Sequence, residues 1–140
     1  MPVRVKLRIT SEHRSLLTSG YVNSGYEVDQ PELLVPLPLA EELGLWGRAS
    51  EEYARTPIGI GRLYVLCRRA KVQVITGDRE TPPVQVCVVV SEFEREVLIS
   101  DYLAGELGIA VEDFRRGIWR FRDEPLTKLR ESEKPQYWVR

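Results

Sequence analysis

Histidine, cysteine and asparagine are scarce in this sequence. Its 140 residues include one histidine, His13, and two cysteines, Cys67 and Cys87. A structural zinc site needs three or four nitrogen or sulfur ligands at short spacing, which three scattered residues do not supply. A Ser-His-Asp triad would have to use His13, which is better explained as a solvated residue of the polar turn from Ser11 to Ser15. Catalysis, if present, must therefore come from carboxylates, and we expect no metal and no cofactor.

The sequence also lacks an excess of charge of either sign. Twenty Lys and Arg residues face 21 Asp and Glu residues, and no basic stripe is present. This balance argues against a nucleic-acid partner. No apolar run approaches the roughly 20 residues of a membrane span, and Met1 to Arg4 begins no signal-peptide core. We therefore expect no membrane partner and a cytoplasmic location.

Asparagine is present once, at Asn23. Arginine outnumbers lysine 16 to 4, and glutamate outnumbers aspartate 16 to 5. Few asparagines and many ion-pairing residues are a tendency of thermophile proteins. The single asparagine is therefore of particular interest.

The two cysteines lie within apolar runs that are typical of strands. We interpret both as small buried hydrophobic residues rather than as a redox pair.

Short strands dominate the predicted secondary structure. Alternation of apolar and polar residues predicts a strand from Val3 to Ile9, and further strands are predicted at 16–22, 33–35, 63–67, 72–75, 84–90, 97–99, 109–111 and 118–121. Short helices are predicted at 39–43 and 101–107, each ended by a glycine, and Ser100 is the expected N-cap of the second. Residues 46–56 are predicted to form a loop. We expect an all-β domain over residues 1–121 and a charged tail over 122–140 that Tyr137 and Trp138 could anchor.

An internal repeat is the most specific feature of the sequence. The segment from Leu33 to Leu45 recurs 64 residues later as Val97 to Ile109, with six of 13 positions identical. Each copy is an apolar strand followed by a short helix that ends at Leu-Gly. A period of 64 present only twice is too long for a solenoid and suits a duplicated barrel with internal pseudo-twofold symmetry.

These motifs together resemble the retropepsin-like aspartic proteases, the single-domain relatives of pepsin that include small bacterial and archaeal homologues. Tyr21 to Tyr26, with Asn23-Ser24-Gly25 at its centre, stands where the family has hydrophobic-Asp-Thr/Ser-Gly. Leu34 to Leu45 and Val97 to Leu103 stand where the family has its two strand-helix segments.

The resemblance implies a closed acid-protease-like β-barrel with one or two short helices. It also implies a homodimer that binds an extended peptide in a groove. Ser24, Gly25, Glu27 and Asp29 would lie at the groove and its turn, and a flap over the groove would contain Ile58, Gly59, Ile60 and Gly61.

Two residues depart from the family pattern. Asn23 replaces the catalytic Asp, and Ile99 replaces the Gly before the second helix. In the family, two Asp carboxylates share a proton, one as acid and one as base. A side-chain amide does not ionise at physiological pH and cannot be a general base. The resemblance therefore favours a pseudoprotease.

Three alternatives for the function stay open at the level of sequence. The chain is a non-catalytic peptide-binding homodimer, an active aspartic peptidase or a structural barrel in a larger assembly. Activity would require that Asn23 is engineered or that another carboxylate, such as Glu27 or Asp29, replaces the missing one. Asp101 is interpreted as a first-turn helix charge. Asn23 itself is either a hydrogen-bonded lock at a dimer axis or a local turn residue.

Overall fold

The barrel forms from strands of the N-terminal and central parts of the chain. The computed structural model describes residues 2–46, 53–54 and 63–139; of 53, 54 and 63 only the backbone is described. The strands in these ranges are β1 (Arg4–Ser11), β2 (Ser15–Val22), β3 (Glu32–Pro36), β4 (Tyr53–Ala54), β5 (Leu63–Val74), β6 (Val84–Ser91), β7 (Val97–Ile99), β8 (Ile109–Asp113), β9 (Ile118–Phe121) and β10 (Arg130–Glu131). The helices are α1 (Leu37–Glu42) and α2 (Asp101–Glu106).

Six strands close into a barrel in the order β1-β2-β7-β3-β6-β5, with β5 pairing back onto β1. Strand β4 pairs with β5 at the edge of this sheet. Strands β8, β9 and β10 form a separate three-stranded sheet. Two pairings are parallel, β2 with β7 and β3 with β6. The expectation of an all-β, closed barrel with two short helices is confirmed.

The barrel interior is built by alternating side chains. In β1, Val5, Leu7 and Ile9 are fully buried, whereas Lys6 and Arg8 point outward. This is the period-2 pattern that the sequence predicts for a half-buried strand. At two kcal/mol or so for each large apolar side chain, such burial provides most of the driving force for folding.

The repeat seen in the sequence is present in the structure. Helices α1 and α2 begin and end 64 residues apart, and their C-caps, Leu43 and Leu107, have nearly the same backbone angles. Gly44 and Gly108 follow with φ of 72° and 76°, the left-handed conformation that glycine adopts without strain. Strands β3 and β7, which precede the helices, pair with each other in antiparallel register.

Two local predictions differ from the structure. The two strands predicted between residues 63 and 75 are one strand, β5, interrupted by an irregularity between Cys67 and Ala70, where Arg68 has φ 64°. Within the predicted loop at 46–56, residues 53–54 pair with β5. The irregularity explains the first difference. Arg68 and Arg69 lie within it, and these two polar residues interrupt the apolar pattern although the strand continues.

The interpretation of the cysteines as buried hydrophobic residues is wrong. Cys67 and Cys87 form a disulfide, with Cys67 exposed and Cys87 half-buried. The two residues are directly opposite in the antiparallel pairing of β5 with β6. Their neighbours Leu66 and Val88 point into the core. The side chains of the two cysteines therefore lie on the outer face of the barrel, next to each other, where they form the disulfide.

Residues 122–139 are charged, as the sequence indicated, and they pack against the barrel. Strand β10 pairs with β9. Further along, the Glu133 N–H donates to the carbonyl of Arg4 (2.8 Å), and the Trp138 indole N–H donates to the Thr18 hydroxyl (2.9 Å). Trp138 therefore anchors the end of the chain on β2.

An ion-pair cluster also holds the C-terminal segment. Arg130 makes a bidentate contact with Asp78 (2.7 and 3.0 Å) and contacts Glu124 (3.0 Å). Lys128 contacts the same two carboxylates. Hydrogen bonds from Arg130 and then Lys128 hold the pKa of Asp78 well below its usual range. We call Asp78, Glu124, Lys128 and Arg130 the C-terminal clamp.

We predict that Arg130→Met weakens the clamp. The substitution keeps an apolar stem but removes a guanidinium that is mostly shielded from solvent. Charge-assisted hydrogen bonds of this kind contribute about 1–3 kcal/mol, so the free energy of unfolding should fall by that order in urea denaturation at neutral pH. The matched control is Arg14→Met, which removes an exposed pair with Glu42 at 3.5 Å and should change little.

The effect of Arg130→Met should depend on pH. Because the pKa values of Asp78 and Glu124 are lowered in the folded state, their contribution is present above the unfolded value of about 4 and is lost as pH falls through the folded values. The difference between the variant and the parent should therefore shrink in acid. An equal difference at neutral and strongly acidic pH would contradict this account.

Candidate functional site

The turn that follows β2 is centred on Asn23. The Asn23 N–H donates to the carbonyl of Ile99 (3.2 Å), which continues the parallel pairing of β2 with β7. The Tyr26 N–H then donates to the carbonyl of Asn23 (3.1 Å). The backbone thus leaves the sheet at Asn23 and reverses direction through Ser24 and Gly25, both of which are exposed.

The Asn23 side chain takes part in this turn. Its Oδ1 accepts a hydrogen bond from the Gly25 N–H at 2.9 Å, the arrangement of an Asx turn. A Cβ atom on Gly25 would lie 3.3 Å from Oδ1, so glycine leaves room for the close approach. The described residues offer no partner to Nδ2. The hydrogen bond expected of a local turn residue, from the Gly25 N–H to Oδ1, is therefore present. The alternative role of Asn23, a hydrogen-bonded lock at a dimer axis, stays a prediction.

The internal symmetry gives Asn23 a counterpart in the second half. Val22 of β2 pairs with Ile99 of β7, and Val90 of β6 pairs with Val35 of β3. Val35 and Ile99 occupy the same position in the repeat, 64 residues apart. Val22 and Val90 are therefore equivalent, and so are the residues that follow them. The residue that follows Val90 is Ser91, whose hydroxyl accepts hydrogen bonds from the N–H groups of the second and third residues after it (both 3.1 Å). Each half therefore ends its strand with a side-chain oxygen that caps a turn.

A cavity of about 400 Å³ adjoins the Asn23 turn. Tyr21, Asn23 and Ser24 line it from β2 and its turn, and Phe114 and Arg115 line it from the turn between β8 and β9. Phe114 is 48% exposed although it is a large apolar residue. The cavity is therefore lined both by polar side chains, including Asn23 and Ser24, and by the exposed ring of Phe114.

Asp101 holds the loop that follows the turn. Its Oδ1 accepts hydrogen bonds from the Val28 N–H (3.1 Å) and the Tyr102 N–H (2.7 Å), and its own N–H donates to the carbonyl of Tyr26 (2.9 Å). The sequence predicted only a first-turn helix charge here. The cross-loop contact was missed because nothing local in sequence connects residues 28 and 101.

Glu32, the first residue of β3, provides a second carboxylate that is held by hydrogen bonds next to this loop. It accepts hydrogen bonds from the Tyr26 hydroxyl (2.9 Å) and the Gln30 amide (3.1 Å). Burial first, and then the charge of Glu32, raises the pKa of Tyr26 well above its usual value. Tyr26 is therefore neutral and a donor at all physiological pH values, which keeps the loop closed on β3.

Ser100 connects α2 to the start of β3. Its hydroxyl donates to the carbonyl of Glu32 (2.7 Å) and accepts from the N–H groups of Glu32 and Leu103 (both 3.2 Å). The predicted N-cap is therefore confirmed, and the same hydroxyl also bridges to β3. Its counterpart in the first repeat, Pro36, provides no side-chain cap.

The other predicted site residues are distributed as follows. Glu27 and Asp29 are exposed on the loop, and neither has a hydrogen bond or ion pair within the described ranges. No carboxylate among the described residues forms a hydrogen bond with Asn23. The predicted flap residues Ile58, Gly59, Ile60 and Gly61 lie outside the described residues.

Metal and membrane features are absent from the described part of the chain. No group of three or more His, Cys, Asp or Glu residues there could hold a metal ion. None of the helices described is long and apolar enough to cross a membrane.

Comparison with solved structures identifies the fold. The chain is similar to the crystal structure of the retroviral protease-like domain of Ddi1 from Leishmania major, with a TM-score of 0.52 and 14% sequence identity over 89% of this chain and 92% of that chain. This protein therefore has a retropepsin-like fold. The sequence matches no protein-family model and no curated protein.

We predict that Ser100→Ala destabilises the site region. The variant leaves the part-buried N–H group of Glu32 and the buried N–H group of Leu103 without their acceptor, which costs about 1–3 kcal/mol in the free energy of unfolding. Hydrogen exchange should accelerate in α2 and in the 26–32 loop. The matched control is Ser15→Ala, whose hydroxyl shares a solvent-exposed hydrogen bond with the Thr10 hydroxyl. Equal effects of the two variants would show that the Ser100 bridge does not stabilise this region.

Proposed function

We propose that this chain is a catalytically impaired retropepsin-like protein that forms a homodimer and binds an extended peptide in its groove. The observation that carries the proposal is the Asn23-Ser24-Gly25 turn in a retropepsin-like fold. By the sequence resemblance, Asn23 stands where the family has its catalytic Asp.

The chemistry of an amide supports the loss of catalysis. The asparagine carboxamide neither gains nor loses a proton at physiological pH, and Oδ1 is a weak base. Neither Nδ2 nor Oδ1 can therefore activate a water molecule. Loss of one general acid-base group typically costs about 10²–10⁴-fold in rate. A symmetric dimer would lose both groups.

The contacts of the nearby carboxylates also support it. A general base must come within hydrogen-bond reach of the water that it activates. Asp101 is already bonded to two backbone N–H groups, and Glu32 is bonded to Tyr26. Glu27 and Asp29 are exposed on the loop beyond the turn. These positions favour a rim role over a place at the centre of the groove.

The dimer is proposed because one chain provides one such turn. A twofold axis close to Asn23 would bring two turns together, and the exposed ring of Phe114 beside the cavity would gain an apolar cover. The groove would then lie between the two chains, where an extended peptide could bind along exposed backbone groups.

We keep the cytoplasm as the proposed location. A disulfide such as Cys67–Cys87 is uncommon there in mesophiles but frequent in the intracellular proteins of hyperthermophiles. The composition, rich in Arg and Glu and poor in Asn, suits the same setting.

We predict a dimer at tens of micromolar in sedimentation velocity. Phe114→Glu should shift it to monomer, because it places a charge on the proposed apolar contact. The matched control is Phe93→Glu, at a residue that is more exposed (76%) and does not line the cavity. A monomeric parent, or dissociation by the control alone, would contradict the proposed interface.

We predict that the purified protein does not cleave peptides between acidic and neutral pH. A transition-state inhibitor of aspartic proteases should bind weakly. Such inhibitors place a hydroxyl between two carboxylates, and a pair of amides offers no equivalent charge-assisted hydrogen bond. Asn23→Asp is the informative variant, since it restores the carboxylate and should bring weak activity in acid. Inhibitor-sensitive turnover by protein whose residue 23 is verified as Asn by mass spectrometry would overturn the proposal.

A further inference from the structure

We propose that Asn23 is a deamidation site, at which the folded chain converts its single asparagine to aspartate. The feature that suggests this is the local sequence. Asn23 is followed by two small residues, Ser24 and Gly25, so little side-chain bulk shields the backbone nitrogen that follows Asn23. Asparagine is a thermolabile residue, and the rest of the chain avoids it.

The geometry of the turn provides the nucleophile. Ser24 is exposed, and no hydrogen bond within the described ranges engages its backbone N–H. This nitrogen is therefore free to lose its proton to solvent. A nitrogen held in a strand or helix would first have to break its hydrogen bond.

The same turn activates the group that is attacked. The Gly25 N–H donates to Oδ1 at 2.9 Å and so polarises the carboxamide carbon, Cγ. Negative charge that develops on Oδ1 during attack is stabilised by that donor, as in an oxyanion hole. The hydrogen bond also closes a ring that contains both Cγ and the Ser24 nitrogen, which keeps the reacting atoms on one turn.

The reaction needs only water as a co-reactant. The Ser24 nitrogen loses its proton and forms a bond to Cγ, the bond from Cγ to Nδ2 breaks, and ammonia leaves. A water molecule then opens the resulting succinimide. Cleavage of the new bond between Cγ and nitrogen gives aspartate, and cleavage of the original peptide bond gives isoaspartate. In sum, one asparagine and one water give one aspartate or isoaspartate and one ammonia.

The product would place a carboxylate in the turn of a retropepsin-like fold. That this carboxylate belongs to a groove for peptides rests on the proposed function, whereas the deamidation does not. Asn23 would then be a latent aspartate, and the age of the protein would determine how much carboxylate is present.

Incubation of the full-length protein tests the proposal. Freshly purified folded protein is held at mildly alkaline pH, and mass spectrometry with chromatographic separation follows the Asn, Asp and isoaspartate forms of the peptide that contains residue 23. We expect the Asn form to decay with stoichiometric release of ammonia, at a rate that increases with pH.

Two variants serve as controls. Ser24→Val, at an exposed position, adds a branched side chain beside the nucleophile and should slow the conversion several-fold. Asn23→Gln would have to close a larger ring and should release almost no ammonia. Retention of Asn23 in the folded protein under conditions that convert a synthetic peptide of residues 18–28 would overturn the proposal, as would equal rates for the parent and Ser24→Val.

An activity measurement separates this inference from the proposed function. The incubated protein and the Asn23→Asp variant are assayed side by side for acid peptidase activity. If Asn23 deamidates and neither sample cleaves or binds peptides, the deamidation site stands and the retropepsin-like function fails. If Asn23→Asp is active and the incubated protein keeps its Asn, the reverse holds.

Discussion

The position of β7 between β2 and β3 is the constraint on which the site depends. β7 is parallel to β2 and antiparallel to β3, and its last residue, Ile99, accepts the hydrogen bond of the Asn23 N–H. The next residue, Ser100, ties the start of α2 to β3. One short strand therefore fixes the turn, the helix N-terminus and the start of β3 at the same end of the barrel. A shift of β7 by one residue would reverse its faces and move Ile99 out of the core.

Much of this arrangement could be predicted from the sequence. The two copies of strand, helix and Leu-Gly share so many residues that the repeat is visible in one chain, and the glycines have the left-handed conformation that their positions require. The unpredicted features depend on register and on distant contacts. The apolar runs around Cys67 and Cys87 indicate strands, but only the pairing of β5 with β6 places these residues opposite each other. The contact of Asp101 with the Val28 N–H likewise joins residues far apart in sequence.

Charge is used differently in the two parts of the molecule. Around β10, Arg130 binds carboxylates directly, and the resulting cluster is sensitive to acid and to salt. Around the Asn23 turn, Asp101 binds backbone N–H groups and Glu32 binds a tyrosine hydroxyl and an amide. The first arrangement secures the end of the chain on the barrel. The second fixes a loop through neutral donors, and the carboxylates of Glu27 and Asp29 are exposed on that loop.

The comparison of Asn23 with Ser91 bears on why an asparagine is present. Asn23 directly follows β2 and Ser91 is the last residue of β6, at equivalent places in the two halves, and both cap the next turn through a side-chain oxygen. The turn needs only an acceptor, which serine supplies at residue 91 and which serine, threonine or aspartate could supply at residue 23. The turn alone therefore does not account for asparagine in a chain that otherwise lacks it. What distinguishes asparagine from these residues is a neutral side chain that also donates hydrogen bonds and that hydrolysis converts to a carboxylate.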